Sequence, residues 1–97
     1  MIEVRKTDEF AQWLDGLRDG DARAKIDARL LRLSLGNPGD VKSVGGRVSE
    51  VRVDHGPGYR VYFTRRGMKI VVLLCGGDKR TQAADIKRAR DMVARLD

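Results

Sequence analysis

Apolar residues along this chain recur with two periods, and the switch between them divides it. Ile2 and Val4 alternate with polar residues over Met1 to Arg5, which predicts a short strand. Thr7 and Asp8 then read as a helix start, with acids Asp8 and Glu9 in the first turn. Phe10, Trp13, Leu14 and Leu17 follow at the spacing of one helical face, and the helix ends within Gly16–Gly20. A second helix is predicted from Asp21 to Leu35, with Ile26, Leu30 and Leu33 as its stripe. Gly36 and Asn37-Pro38-Gly39 stop it.

From Val41 the period becomes two. Val48, Glu50, Arg52 and Asp54 fall on one side of a strand, Val51 and Val53 on the other. His55-Gly56-Pro57-Gly58 is a turn. Tyr59 to Arg65 is a second strand, with Tyr59, Val61 and Phe63 opposite Arg60, Tyr62 and Thr64. Arg66-Gly67 turns the chain into a third, Met68 to Cys75, apolar on both faces and ended by Gly76-Gly77. A last helix spans Thr81 to Leu96, with Ile86, Ala89, Val93 and Leu96 inward. The expected order is strand, two helices, three-stranded meander, helix: an α+β fold in one domain, residues 1–97, with the helices on one side of the sheet and the other side partly open.

Charge sharpens this picture. The formal net charge is +6. Residues 1–40 carry 7 Lys and Arg against 8 Asp and Glu, whereas residues 41–97 carry 13 against 6. Arginine makes up 14 of the 20 basic residues, and its planar fork suits bidentate phosphate contact. The meander half therefore favours an anionic partner, with nucleic acid first, although scattered surface arginines also serve solubility. Cys75 is the single cysteine, so neither an internal disulfide nor a cysteine-based zinc site is available. The charged start MIEVRKTDEF and the short longest apolar run, Ile70 to Cys75, lead us to expect a soluble cytoplasmic protein with no membrane partner.

The two hairpins make the late strands antiparallel, so Arg52, Arg60 and the loop carrying Lys79 and Arg80 are expected at one edge of the sheet. Arginines opposed across strands cost stability unless an anion or an acid lies between them. Glu50 on the same face is one candidate and a phosphate is another. The pattern itself leaves open a solvated salt-bridged face, an anion site without chemistry, and an RNA-cleaving site. His55 is the only histidine and sits in a turn, which excludes a two-histidine nuclease. Metal-ligand spacing and nucleotide-binding glycine motifs are absent, so no metal or other cofactor is expected. RNA cleavage needs neither, because a 2′-hydroxyl held in line can attack its neighbouring phosphate while cationic groups stabilise the phosphorane.

The runs VGGRVSEVRV at 44–53, GPGYRVYF at 56–63 and GGDKRTQAADIKRAR at 76–90 resemble the HigB-like branch of the RelE/ParE toxin superfamily. The resemblance implies a RelE-like fold, with two N-terminal helices on a twisted antiparallel sheet and a C-terminal helix. It implies the toxin of a type II toxin–antitoxin system, a metal-independent endoribonuclease that cuts mRNA on the ribosome and is neutralised by a cognate antitoxin, often a helix-turn-helix protein. Arg60 matches the strand arginine placed at the scissile phosphate, Arg52 a basic position of the preceding strand, and Lys79 a basic position of the following loop. Glu50 stands where relatives can have a second basic residue, and Asp85 near where they can carry a tyrosine. Glu50, Asp85 and Tyr62 are the candidate general bases. Lys42, Arg47, Arg80 and Gln82 are the candidate RNA-binding residues. Simpler roles stay open: Asp85 against the helix dipole, Gln82 as a helix-start residue, Tyr62 as packing. The competing functions are a ParE-like gyrase poison and a non-catalytic domain that binds nucleic acid or a partner.

Overall fold

The computed structural model describes residues 2–96; the strand expected to begin at Met1 therefore starts outside the described residues. The elements are β1 (Glu3–Lys6), α1 (Asp8–Asp15), α2 (Gly20–Ser34), β2 (Val41–Gly45), β3 (Val48–Val53), β4 (Tyr59–Arg66), β5 (Ile70–Asp78), a short 3-10 turn (Lys79–Thr81) and α3 (Gln82–Leu96). They form one five-stranded sheet in the order β1-β5-β4-β3-β2 with three α-helices, the α+β fold expected.

Local chemistry sets most boundaries. Thr7 caps α1 by accepting from the Phe10 amide, and its hydroxyl donates to the Leu74 carbonyl at 2.7 Å, tying the helix start to β5. Asp19 caps α2 by accepting from the amides of Asp21 and Ala22. The helix therefore begins slightly before the Asp21 start expected.

Five expectations need correction. Residues 41–45 form a strand, so the meander has four antiparallel strands, β2 to β5. The short β2 carries too few apolar residues to announce itself. The sheet is also mixed, because β1 pairs parallel to β5, with Val4 opposite Val71. The helices cover both faces. Phe10, Leu14, Ile26, Leu30 and Leu33 of α1 and α2 pack on Val51, Val53, Val61, Phe63, Val71 and Leu73. Ala89 and Val93 of α3 pack on Val48, Tyr62, Val72, Leu74 and Cys75 from the other side. A strand apolar on both faces requires two covers, and the stripe of α3 supplies the second. Leu96, expected inside, is exposed.

Gly76-Gly77 does not end β5, which continues to Asp78. Tyr62 pairs with Cys75 and Phe63 with Leu73, so Leu74 is an extra residue in β5. Leu74 and Cys75 both belong to the cluster under α3. This bulge shifts the alternation, so Gly76 comes to lie against Trp13 and Gly77 against Asp85. A Cβ at Gly76 would overlap the Trp13 ring, and one at Gly77 would overlap the Asp85 carboxylate. The glycine pair is there for close packing on both faces.

Candidate active site

Strand register assembles the site. One row of directly paired residues runs Lys42, Glu50, Tyr62, Cys75 across β2 to β5. The next row runs Arg52, Arg60, Gly77. Directly paired residues share a face, so the Arg52 and Arg60 side chains stand side by side with Glu50 behind them and the start of α3 above.

Glu50 is the centre of this arrangement. Its side chain is 0% exposed. One carboxylate oxygen accepts from Arg52 Nε at 2.9 Å, and the other accepts from the Gln82 amide nitrogen at 2.9 Å. Arg60 Nε lies 3.7 Å from the same oxygen as Gln82. Burial pushes the Glu50 pKa up, but the hydrogen bonds from Arg52 and Gln82 and the charges of Arg52 and Arg60 outweigh it. The carboxyl is held below the usual range. Glu50 is thus a fixed anion that orients two guanidinium groups. Arg52 is 41% exposed and turned to solvent, whereas the Arg60 side chain is 9% exposed. Arg60 Nη1 donates to the Gly58 carbonyl at 3.2 Å, and its buried Nε has no hydrogen-bond partner among the described residues.

A cavity of about 320 Å³ opens here, lined by Arg52, Arg60 and Lys79, by Asp40 and Asp54, and by Val53, Gly58 and Tyr59. The two turns explain the convergence: His55–Gly58 leads into Arg60, and the 3-10 turn after β5 carries Lys79. Gly58, with φ +81°, lies beside both Arg60 and Lys79.

The remaining residues singled out from the sequence divide. Gln82 is the first residue of α3 and holds Glu50. Tyr62 is 0% exposed, and its hydroxyl is buried without a hydrogen-bond partner among the described residues. Burial, then the charges of Glu50 and Asp85, raise its pKa far above the ordinary tyrosine value. Asp85 is half-buried and accepts from the Thr81 hydroxyl. Burial lifts its pKa, Thr81 opposes, and the charges of Asp78 and Glu9 add to the rise. Lys42 is exposed beside Glu50 on the edge strand. Arg80 is exposed and clasped by Asp78, with Nη2 to Oδ2 at 2.9 Å. Arg47 is not brought to the cavity. It sits at the tip of the β2–β3 turn with φ 62°, about 16 Å along the strand direction from Arg52. There it lines a separate cavity with Arg65 and Arg66. His55 pairs with Asp19 at 2.9 Å and joins the β3–β4 turn to the start of α2.

One residue escaped the sequence reading. Arg29 of α2 donates through Nη1 to the Arg52 carbonyl and through Nη2 to the carbonyls of Pro38, at 3.0 Å, and Asp40. It thereby ties the loop before β2 to the backbone under Arg52. Its signal was present: position 29 lies three after Ile26 and four before Leu33, a charge inside an apolar stripe.

Among the described residues, no group of three or more His, Cys, Asp or Glu side chains could hold a metal ion. No described helix is long and apolar enough to cross a membrane.

Comparison with known proteins identifies the fold and the family. A solved structure of an E. coli toxin RelE mutant in the free state matches with a TM-score of 0.74, covering 94% of this chain and 95% of that one at 15% identity, which establishes the fold. An uncharacterized protein of Haemophilus influenzae is 47% identical over 95 residues, 98% of this chain and 96% of that protein. The family model for phage-derived Gp49-like proteins matches residues 12–95. With that match over most of its length, the chain belongs to the Gp49-like family of phage-derived proteins, and it carries the RelE fold.

Proposed function

We propose that this chain is the toxin of a type II toxin–antitoxin pair, of the HigB-like branch, and that it cleaves mRNA at the Arg52–Arg60–Lys79 cavity. The observation that carries this reading is the opposition of Arg52 and Arg60 across β3 and β4, kept in place by a buried carboxylate and flanked by Lys79. Two guanidinium groups and an ammonium directed into one cavity suit the dianionic phosphorane formed when a 2′-oxygen attacks phosphorus. The toxin fold and the motifs around Arg60 and Lys79 support the same reading.

The chain and solvent together can balance the reaction. The 2′-oxygen bonds to phosphorus as its proton leaves, and the 5′-oxygen departs and takes a proton from solvent. The products are a 2′,3′-cyclic phosphate and a free 5′-hydroxyl. We assign the proton acceptor to Asp85. Glu50 is held ionised with both oxygens occupied, and Tyr62 is buried and resists ionisation. The half-buried Asp85 carboxyl lies against Gly77, the residue paired with Arg60, and its raised pKa favours it as the base among the three. The substrate is mRNA on the ribosome in the cytoplasm, and a helix-turn-helix antitoxin silences the toxin.

The test is Arg60→Ala, assayed for RNA cleavage on translating ribosomes beside thermal stability. Cleavage should fall roughly a hundredfold, with Arg65→Ala, at the far end of β4, as the active control. Cleavage at the wild-type rate by folded Arg60→Ala would remove the cavity from the mechanism. Intact transcripts together with double-strand DNA breaks would point instead to a gyrase poison.

A further inference from the structure

Thr81 closes the 3-10 turn Lys79–Thr81 and immediately precedes α3. A threonine at the start of a helix ordinarily accepts from a backbone amide of the first turn, as Thr7 does for α1. Among the described residues, no amide donates to the Thr81 hydroxyl. Its proton goes instead to Asp85 Oδ2 at 2.5 Å, the length of a charge-assisted bond, while the Asp78 carbonyl lies farther off at 3.5 Å. The same carboxylate oxygen rests against Gly77. A Cβ built there would lie 1.9 Å from Asp85 Oδ2 and 2.9 Å from Thr81 Oγ1. Gly77 is in turn the residue paired with Arg60. Oδ2 is therefore held between a hydroxyl and the sheet. Oδ1 has no hydrogen-bond partner among the described residues and is not buried.

We propose that Thr81 is a positioning residue: its hydroxyl holds Asp85 Oδ2 against the Gly77 backbone and so presents Oδ1 to the 2′-hydroxyl of the RNA. This rests on the reading of Asp85 as the proton acceptor. Oδ1 takes the proton as the 2′-oxygen bonds to phosphorus and the 5′-oxygen leaves, and it returns that proton to solvent afterwards. Toward a carboxylate the hydroxyl acts as a donor, so the bond favours the ionised form, the state from which a base must start. Thr81 thereby counters its surroundings. Burial raises the Asp85 pKa, the Thr81 bond opposes it, and the charges of Asp78 at the end of β5 and Glu9 of α1 add to the rise. Glu9 is itself paired with Arg88 of α3, whose Nε donates to it at 3.1 Å. Tyr62 of β4 and Cys75 of β5, whose pKa values burial pushes up, are the neutral titratable groups on the sheet beside it.

The experiment compares Thr81→Val, which keeps the branched shape and removes the donor, with Thr81→Ser, which keeps the donor. Two quantities are measured on each variant, with thermal melts to establish folding. One is the titration of the Asp85 carboxyl carbon by NMR in the free protein. The other is the pH dependence of single-turnover RNA cleavage on translating ribosomes. In Thr81→Val the Asp85 midpoint should rise, the acid limb of cleavage should rise with it, and the plateau rate above that limb should fall about tenfold. Thr81→Ser should keep the wild-type limb and most of the rate. An unmoved midpoint and limb in folded Thr81→Val overturns the proposal, and so does a rate lowered equally at every pH. If Asp85→Asn abolishes cleavage while Thr81→Val behaves as wild type, Asp85 remains the base and only this proposal falls. If the midpoint rises and the limb stays, Asp85 is not the base, and the reading beneath the proposal falls with it.

Discussion

The two faces of the sheet share their strands and bury different kinds of side chain. Toward α1 and α2, the buried residues of β3, β4 and β5 are apolar: Val51, Val53, Val61, Phe63, Val71 and Leu73. Toward α3, the same strands change character along their length. Val48, Val72, Leu74 and Cys75 meet Ala89 and Val93, but Glu50 shares the row of Cys75 and the next row holds Arg52 and Arg60. Apolar burial is non-directional and tolerates small shifts, so the first face is suited to hold the fold. A buried carboxylate is tolerated only where donors meet it in one geometry, so the second face fixes guanidinium positions to within the reach of Glu50. The polar row costs desolvation and returns orientation.

Substitutions should separate the two faces. The largest stability loss is expected on the apolar side. Phe63 is fully buried in that cluster, so Phe63→Ala should cost about 3–5 kcal/mol, read as a drop in denaturant midpoint, with the pH profile of stability unchanged in shape. A loss below about 1 kcal/mol would mean this face is not the main support of the fold. Glu50→Ala comes next. It leaves Arg52 and Arg60 opposed without their acid and strips Gln82 of its acceptor, and should cost about 3 kcal/mol. Here the pH profile should change. The folded pKa of Glu50 lies below its ordinary value of 4.5, so its contribution is present in full above that pH and disappears as pH falls through the folded pKa. The variant should therefore lose less stability than wild type on acidification below about 4.5. An unchanged acid limb would show that Glu50 is not the anion the arginines depend on.

The smallest stability effect has the opposite sign. The Asp85 pKa is raised, so ionisation of this carboxyl is disfavoured in the folded state, and the penalty is present above the folded pKa and absent below the ordinary value of 3.8. Asp85→Asn keeps an acceptor for Thr81 and should melt slightly higher at pH 7, with the gain vanishing in acid. If Asp85 is the proton acceptor, the same variant should lose RNA cleavage, a stability–activity exchange at one residue. A variant that is both less stable and fully active would contradict both assignments.

Much of the site could be read before folding was considered. Two short turns and strict alternation place Arg52 beside Arg60 and bring Lys79 to the same end, because register follows from turn length and side-chain period alone. Arg47 lies outside that row, at the other end of the strand, since a basic residue near a strand need not sit at the end where the arginines meet. The depth at which Glu50 and Tyr62 lie was not legible either. An acid or a tyrosine on an alternating strand looks the same whether its face meets water or a helix.

The sequence by itself determined the element order, the cap at Thr7, the antiparallel hairpins and the row of arginines, all consequences of local geometry and periodicity. Tertiary structure alone decided that α3 closes the second face, that β1 joins β5 in parallel, that the Leu74 bulge sets Gly77 against Asp85, and that Arg29 anchors the backbone of Arg52. Each of these depends on which distant segment covers a surface. That is settled by the total apolar area the chain can bury at once, a quantity no local window contains.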